Sequence, residues 1–241
     1  MVSTTKDHST HTSSRVMGAR GSTWEPRACC PHVYAHRGRH FNVDEENRIP
    51  AFRRALRRFN GFECDIRLSR DGIPVVIHDA TLRRTHDDVR RVCKLNANEL
   101  QRLGVPTLAE ALLLLVTHRT ARIIIDIKVN ERALLLQTLL LARGLGVRED
   151  NITFLVWHAL CARPSTTATI LRAVDNVFES SYTHTDGVAC KYSGDAQNQR
   201  CIETALGRAQ IVNMWTPDDT LSREMIDTYR LRAGCTFTVG H

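Results

Sequence analysis

From Val33 onward, short apolar runs alternate with stretches in which apolar residues recur every three or four positions. Short apolar or alternating runs suit strands, and the wider spacing suits amphipathic helices. On that basis strands are predicted at 33–35, 61–68, 73–77, 122–127, 152–157, 176–179, 187–190, 211–215 and 235–239. Helices are predicted at 49–59, 107–116, 130–143 and 222–232. Thr107, with Glu110 three residues on, forms a capping box, and Gly144 can end the helix before it. Buried strands that alternate with helices imply parallel βαβ units, and these are enough to close on themselves. The predicted class is α/β: a TIM-type (β/α)8 barrel made by one domain over residues 28–241, a usual length for that architecture. Residues 1–27 are rich in Ser, Thr, Gly and His and hold almost no core-forming side chains. A disordered tail is predicted there.

One pair of strands departs from the βαβ rule. The runs 61–68 and 73–77 are joined only by Ser69, Arg70, Asp71 and Gly72. A parallel crossover needs a dozen or more residues, so this pair must be antiparallel, and Asp-Gly is a strong hairpin turn. Folding about it brings His78 opposite the segment Glu63–Asp65.

Charge adds a class of partner. The 33 Lys and Arg outnumber the 26 Asp and Glu, for a net charge of +7. A basic protein favours anionic partners such as phosphoesters or lipid headgroups. The densest cluster, Arg53, Arg54, Arg57 and Arg58, lacks the interleaved aromatics of a single-strand binder, so no nucleic-acid partner is expected. The eight cysteines include no Cys-x-x-Cys pair, and free thiols in a reducing compartment are expected. The start has no apolar core of a signal peptide, and no apolar run is long enough to span about 30 Å of hydrocarbon. A soluble, cytoplasmic protein is the expectation. The Ser/Thr-rich, acid-poor start also fits an organelle transit peptide.

Four segments set charged or imidazole groups against predicted strands: Ala35-His36-Arg37-Gly38, Phe62-Glu63-Cys64-Asp65, Ile77-His78-Asp79 and Ile125-Asp126-Ile127-Lys128. Strand alternation puts Glu63 and Asp65 on one face and Cys64 on the other. Two adjacent buried carboxylates repel each other unless a cation lies between them, and hard oxygen ligands suit Mg²⁺ or Ca²⁺. Asp126, at the end of another strand, can supply a third oxygen. Histidine can titrate near neutrality, so His36 and His78 can serve as acid and base. Arg37 and Lys128 can neutralise a phosphate. The set supports metal-assisted phosphodiester cleavage.

In order along the chain, His36-Arg37-Gly38, Glu46-Asn47, Glu63-x-Asp65, Asp71-Gly72-x-Pro74-Val75-Val76-x-His78-Asp79 and Leu82-x-Arg84-Thr85 resemble the glycerophosphodiester phosphodiesterase signature. Pro106-Thr107-Leu108-x-Glu110, Asp126-x-Lys128, Trp215-Thr216 and the closing segment 234–239 resemble its later motifs. The resemblance covers residues 33–241 and is weakest from Trp157 to Gln210. It implies that His36 and His78 are the acid/base pair and that Glu63, Asp65 and Asp126 hold one divalent cation, Mg²⁺ or Ca²⁺. It also implies that Arg37 and Lys128 contact phosphate, and that Glu46 supports the first loop or the metal shell. The implied reaction hydrolyses a small-molecule glycerophosphodiester to glycerol 3-phosphate and an alcohol. Two departures stand out: Glu45 where the family usually has Pro, and Asp126 where it usually has Glu. Trp157 and Trp215, at strand ends, suit either a substrate pocket or packing. Two alternatives remain open from sequence: a lysophospholipase D-type enzyme on single-chain lysolipid substrates, and a barrel that binds phosphoesters without turnover.

Overall fold

The computed structural model describes residues 32–129, 131–158, 160, 162–174, 184–208, 210–216 and 219–240. Eight parallel strands close into a barrel: β1 (Val33–Ala35), β2 (Gly61–Leu68), β4 (Arg122–Ile127), β5 (Ile152–Val156), β6 (Thr169–Val174), β7 (Gly187–Lys191), β8 (Ile211–Thr216) and β9 (Cys235–Val239). Pairing of β1 with both β9 and β2 completes the ring. The ninth strand, β3 (Pro74–Val76), runs antiparallel to β2, with Ile66 opposite Val76. The hairpin read from Asp71-Gly72 is therefore present. Its loop is closed by Ser69 N–H to Ile73 O (3.0 Å), with Gly72 at φ 75°.

The helices are α1 (Ile49–Ala55), α2 (Arg83–His86), α3 (Ala97–Arg102), α4 (Leu108–Thr117), α5 (Glu131–Gly144), α6 (Ala196–Gly207) and α7 (Asp219–Tyr229). The capping box at α4 forms as expected from Thr107 and Glu110. Helix α7 starts and ends three residues before the predicted 222–232, and Leu231, inside the predicted span, lies beyond its end and is exposed. Four elements were not anticipated: the helices α2 and α3, each too short to show a helical period, strand β6 and helix α6. Strand β6 precedes the predicted strand at 176–179, which falls outside the described residues; Arg172 interrupts the apolar run of β6 and hid it. Helix α6 buries only Cys201, Ile202 and Ala205 among polar neighbours, too thin a face to read. The predicted tail also falls outside the described residues.

Outward-facing strand residues and the helices make two cores. Phe62, Cys64, Ile125 and Phe154 pack under α1, α4 and α5, while Val188, Met214 and Phe237 pack under α6 and α7. Phe52 of α1 stacks on Phe62 at 4.1 Å between ring centres. A satellite core of Val75, Ile77, Leu82, Val92 and Leu100 fixes the segment after β3. Inside the barrel lie Tyr34, Ile124, Leu155, Leu171, Ala173 and Ala189. Among the described residues Cys64, Cys93, Cys190, Cys201 and Cys235 are unbridged, and no helix is long and apolar enough to cross a membrane.

Closure of the ring depends on close strand approach at Gly61. A Cβ there would lie 1.9 Å from the Arg122 carbonyl oxygen of the neighbouring strand. Gly61→Ala should therefore cost about 2 kcal/mol or more, a melting-temperature loss of roughly 5–10 °C by calorimetry. Gly207→Ala on α6, with open space around it, should instead hold or gain up to about 1 kcal/mol. Equal melting temperatures for the two variants would show that the β2–β4 contact is not tight.

Candidate active site

Strand β2 carries Glu63 and Asp65 inward, and Cys64 between them points outward into the apolar wall. Parallel register sets Asp65 directly beside Asp126 of β4. All three carboxylates are buried, with oxygens within 4.8 Å of one another. The expected convergence of Glu63, Asp65 and Asp126 is therefore present in the geometry.

Two cations and two neutral donors answer this charge. Lys128, two residues after Asp126 and on the same strand face, places Nζ 3.0 Å from Asp65 Oδ1 and 2.6 Å from Asp126 Oδ2. Arg37 lies with Nε 3.3 Å from Asp65 Oδ2, and its backbone N–H donates to Glu63 Oε2 (2.9 Å). Asn47 Nδ2 donates to Asp65 Oδ2 (2.8 Å), and Trp157 Nε1 donates to Asp126 Oδ1 (2.9 Å). The charge states divide accordingly. Burial and the neighbouring carboxylates Asp65 and Asp126 push Glu63 well above the usual carboxylate range. Burial acts the same way on Asp65, but Lys128 and then Arg37 overturn it and hold that carboxyl well below its ordinary value. Asp126 is raised by burial, with Lys128 opposing. Lys128 and Arg37 are both held more firmly protonated by these carboxylates, against the cost of their burial.

The His36-Arg37-Gly38 turn follows β1 directly. Arg37 is left-handed at φ 54°, and Gly38 at φ 78° sits where a Cβ would come within 2.7 Å of Phe52 Cδ1. A glycine is needed there for both reasons. The turn lays the His36 ring on Trp215, with centroids 6.0 Å apart and planes 20° apart, and leaves Nε2 4.0 Å from Glu63 Oε2. Burial, helped by the Arg37 guanidinium and opposed by Asp65 and Glu46, drives the His36 pKa down to about 3, so the imidazole is neutral near pH 7.

His78 arrives from the hairpin. Ile77 N–H donates to Asp65 O (2.9 Å) and Arg67 Nε–H to His78 O (2.8 Å), which holds the return strand beside the carboxylates. His78 Nδ1 lies 2.6 Å from Asp79 Oδ1, and Arg84 Nε–H donates to Asp79 Oδ2 (2.7 Å). Glu46 is not part of the carboxylate cluster. It accepts from Arg37 Nη1 (3.0 Å) and from Arg84 Nη1 and Nη2 (2.9 and 2.6 Å), so it clamps the first loop to α2. Despite burial, Arg84 and Arg37 hold its carboxyl low. Of the two roles implied by resemblance for Glu46, its contacts match support of the first loop.

These groups surround a cavity of about 260 Å³ at the carboxyl ends of the strands, lined by His36, Arg37, His78, Lys128, Trp157 and Trp215 and backed by Ala173 and Ala189. In barrels of this kind that end of the strands carries the chemistry. Sequence reading had not assigned positions to Asn47, Asp79 and Arg84. The signal was present: each is a polar residue inside a quoted motif, next to or a few residues beyond a proposed functional group.

The comparisons agree with this geometry. Residues 36–149 match the model of the glycerophosphoryl diester phosphodiesterase family. Human glycerophosphodiester phosphodiesterase 1 is 34% identical over 110 residues, covering 39% of this chain and 33% of that protein. A glycerophosphodiester phosphodiesterase of Caldanaerobacter subterraneus subsp. tengcongensis is 43% identical over 72 residues, covering 30% of this chain and 29% of that protein. The chain thus matches about a third of the length of these relatives. Among solved structures, a Thermotoga maritima glycerophosphodiester phosphodiesterase superposes with a TM-score of 0.66 at 21% identity, covering 86% of this chain and 93% of that one. An Oleispira antarctica phosphodiesterase, solved in complex with the product sn-glycerol-3-phosphate, gives 0.65 at 20% identity, covering 87% and 93%. Over residues 36–149 the chain is thus similar to the glycerophosphoryl diester phosphodiesterase family, and it shares the barrel fold of the solved structures.

Proposed function

We propose that the protein hydrolyses glycerophosphodiesters to glycerol 3-phosphate and an alcohol. One observation carries this reading: two histidines, three buried carboxylates, Arg37 and Lys128 meet around a single cavity. Water oxygen attacks phosphorus, the bond from phosphorus to the alcohol oxygen breaks, the water proton passes to one imidazole, and the other supplies the proton taken up by the leaving alkoxide. His36 is neutral near pH 7, the state a base needs; burial and Arg37 weaken it as a base, and the negative charge of a bound phosphodiester would strengthen it. His78, steadied through Nδ1 by Asp79, is the remaining proton donor. Arg37 Nε has no hydrogen-bond acceptor of its own, so it can donate to a phosphoryl oxygen.

Glu63, Asp65 and Asp126 fit one hard divalent cation, Mg²⁺ or Ca²⁺. They offer only oxygen donors, and burial leaves Glu63 without a full counter-charge. When bound, such a cation polarises a phosphoryl oxygen and makes a nucleophilic hydroxide easier to form.

The lysolipid reading retains one point of support. Phe41 (70% exposed) and Val43 (47%) lie on the loop after β1, and Val89 (73%) follows α2, which packs against that loop. Exposed apolar side chains on these two segments would suit an acyl chain. If lysophospholipids are substrates, Phe41→Ser should lower kcat/KM for them at least threefold relative to glycerophosphocholine. Equal effects on both would remove the support for an acyl-chain subsite.

His36→Ala and His78→Ala should each lower kcat about 10²–10⁴-fold with the fold intact, and the double variant should be little worse than the worse single. A nitrophenyl diester needs no proton on its leaving group, so it should largely rescue His78→Ala and leave His36→Ala impaired. Small, equal losses on both substrates would make the histidines structural.

EDTA should abolish turnover, and Mg²⁺ or Ca²⁺ should restore it. Glu63 must lose its proton to serve as a ligand, and its carboxyl is held above the usual range, so cation affinity measured by calorimetry should go on rising with pH above the ordinary carboxylate range, and Glu63→Gln should flatten that rise. Undiminished turnover in demetallated protein would contradict the metal site.

A further inference from the structure

Lys191 ends β7 at the mouth of the barrel, beside Trp215 in register, and its side chain is exposed. Its Nζ stands 5.8 Å from the centre of the Trp215 ring, the ring that also stacks on His36. On the other indole lining the cavity, Lys128 Nζ stands 5.7 Å from the centre of Trp157. Both tryptophans thus already hold an ammonium at cation–π distance. Lys128 is committed to Asp65 and Asp126, whereas Lys191 makes no ion pair among the described residues.

We propose that Lys191 selects the alcohol half of the substrate by charge, favouring diesters whose alcohol bears an anionic group and disfavouring those whose alcohol is a quaternary ammonium. This rests on reading the site as a glycerophosphodiesterase. A choline group is drawn to an indole face, and here each indole presents a fixed like charge first. Between water-exposed charges, repulsion at about 6 Å changes binding severalfold, and the same Lys attracts a phosphate or carboxylate by a similar factor. Glycerol carries no charge, so the alcohol is the part that Lys191 can discriminate.

The test uses the full chain with Mg²⁺ or Ca²⁺ and three diesters: glycerophosphocholine, the uncharged glycerophosphoglycerol and glycerophosphoinositol 4-phosphate. For the unaltered protein, kcat/KM should fall in the order anionic, uncharged, choline. Lys191→Gln should shrink the ratio of anionic to choline diester about tenfold, and Lys191→Glu should bring it near or below one. Raising the salt from about 0.05 to about 0.5 M should compress the ratio in the unaltered protein and much less in Lys191→Gln. Turnover of glycerophosphoglycerol with no charge order, or with an order that survives Lys191→Glu, would overturn the selectivity and leave the diesterase reading standing. No turnover of any diester would overturn both.

Discussion

The register between β2 and β4 sets Asp65 beside Asp126 inside the barrel, and most of the surrounding design answers that placement. Two carboxylates this close repel each other strongly where water is scarce, and Glu63 adds a third. Lys128 is the nearest response because alternation along one strand points it the same way as Asp126. Arg37 and Asn47 come from the loop after β1, and both are held left-handed, at φ 54° and 56°. Conformations of this kind cost energy in residues other than glycine, and persist where surrounding contacts over-determine them. Here the contacts are the ion pair of Arg37 and the two hydrogen bonds between Asn47 and Asp65.

That loop is in turn held from outside. Glu46 joins Arg37 to Arg84, and Arg84 joins Glu46 to Asp79 beside His78. The two histidines sit on separate elements, yet one chain of ion pairs fixes both. The two departures from the family pattern fit this scheme. Glu45, in place of Pro, pairs with Arg54, so an ion pair holds the loop where a ring would have stiffened it. Asp126 is one methylene shorter than Glu, and Trp157 Nε1 reaches its free oxygen.

The first half of this arrangement was legible in the sequence because its signals are local. A four-residue connection allows only a hairpin, alternation fixes which of Glu63, Cys64 and Asp65 face inward, and a capping box marks the start of α4. The network around Glu46 was not legible as geometry, because Arg84 reaches it across 38 positions by tertiary packing alone. The second half was harder still. Arg172 interrupts β6, and α6 buries only three side chains. In each case the one-dimensional pattern is weak because the element is only partly covered in the fold.

The same charge balance bears on how a substrate can enter. In the proposed reaction Arg37 and Lys128 would meet the phosphodiester, and both are engaged with carboxylates. A phosphoryl anion brought to them would compete with Asp65 and Asp126 for the same protons. Arg37 has a partial answer, since its Nε–H lacks an aligned acceptor and its backbone N–H, not its side chain, serves Glu63. Lys128 has one as well, because its ammonium bridges two carboxylates and keeps a third N–H. Freeing the other two depends on the charge of Asp65 and Asp126 being met in another way, by a cation among the three carboxylates. Occupation of the carboxylate cluster and affinity for phosphate should therefore be linked, each strengthening the other by the same factor.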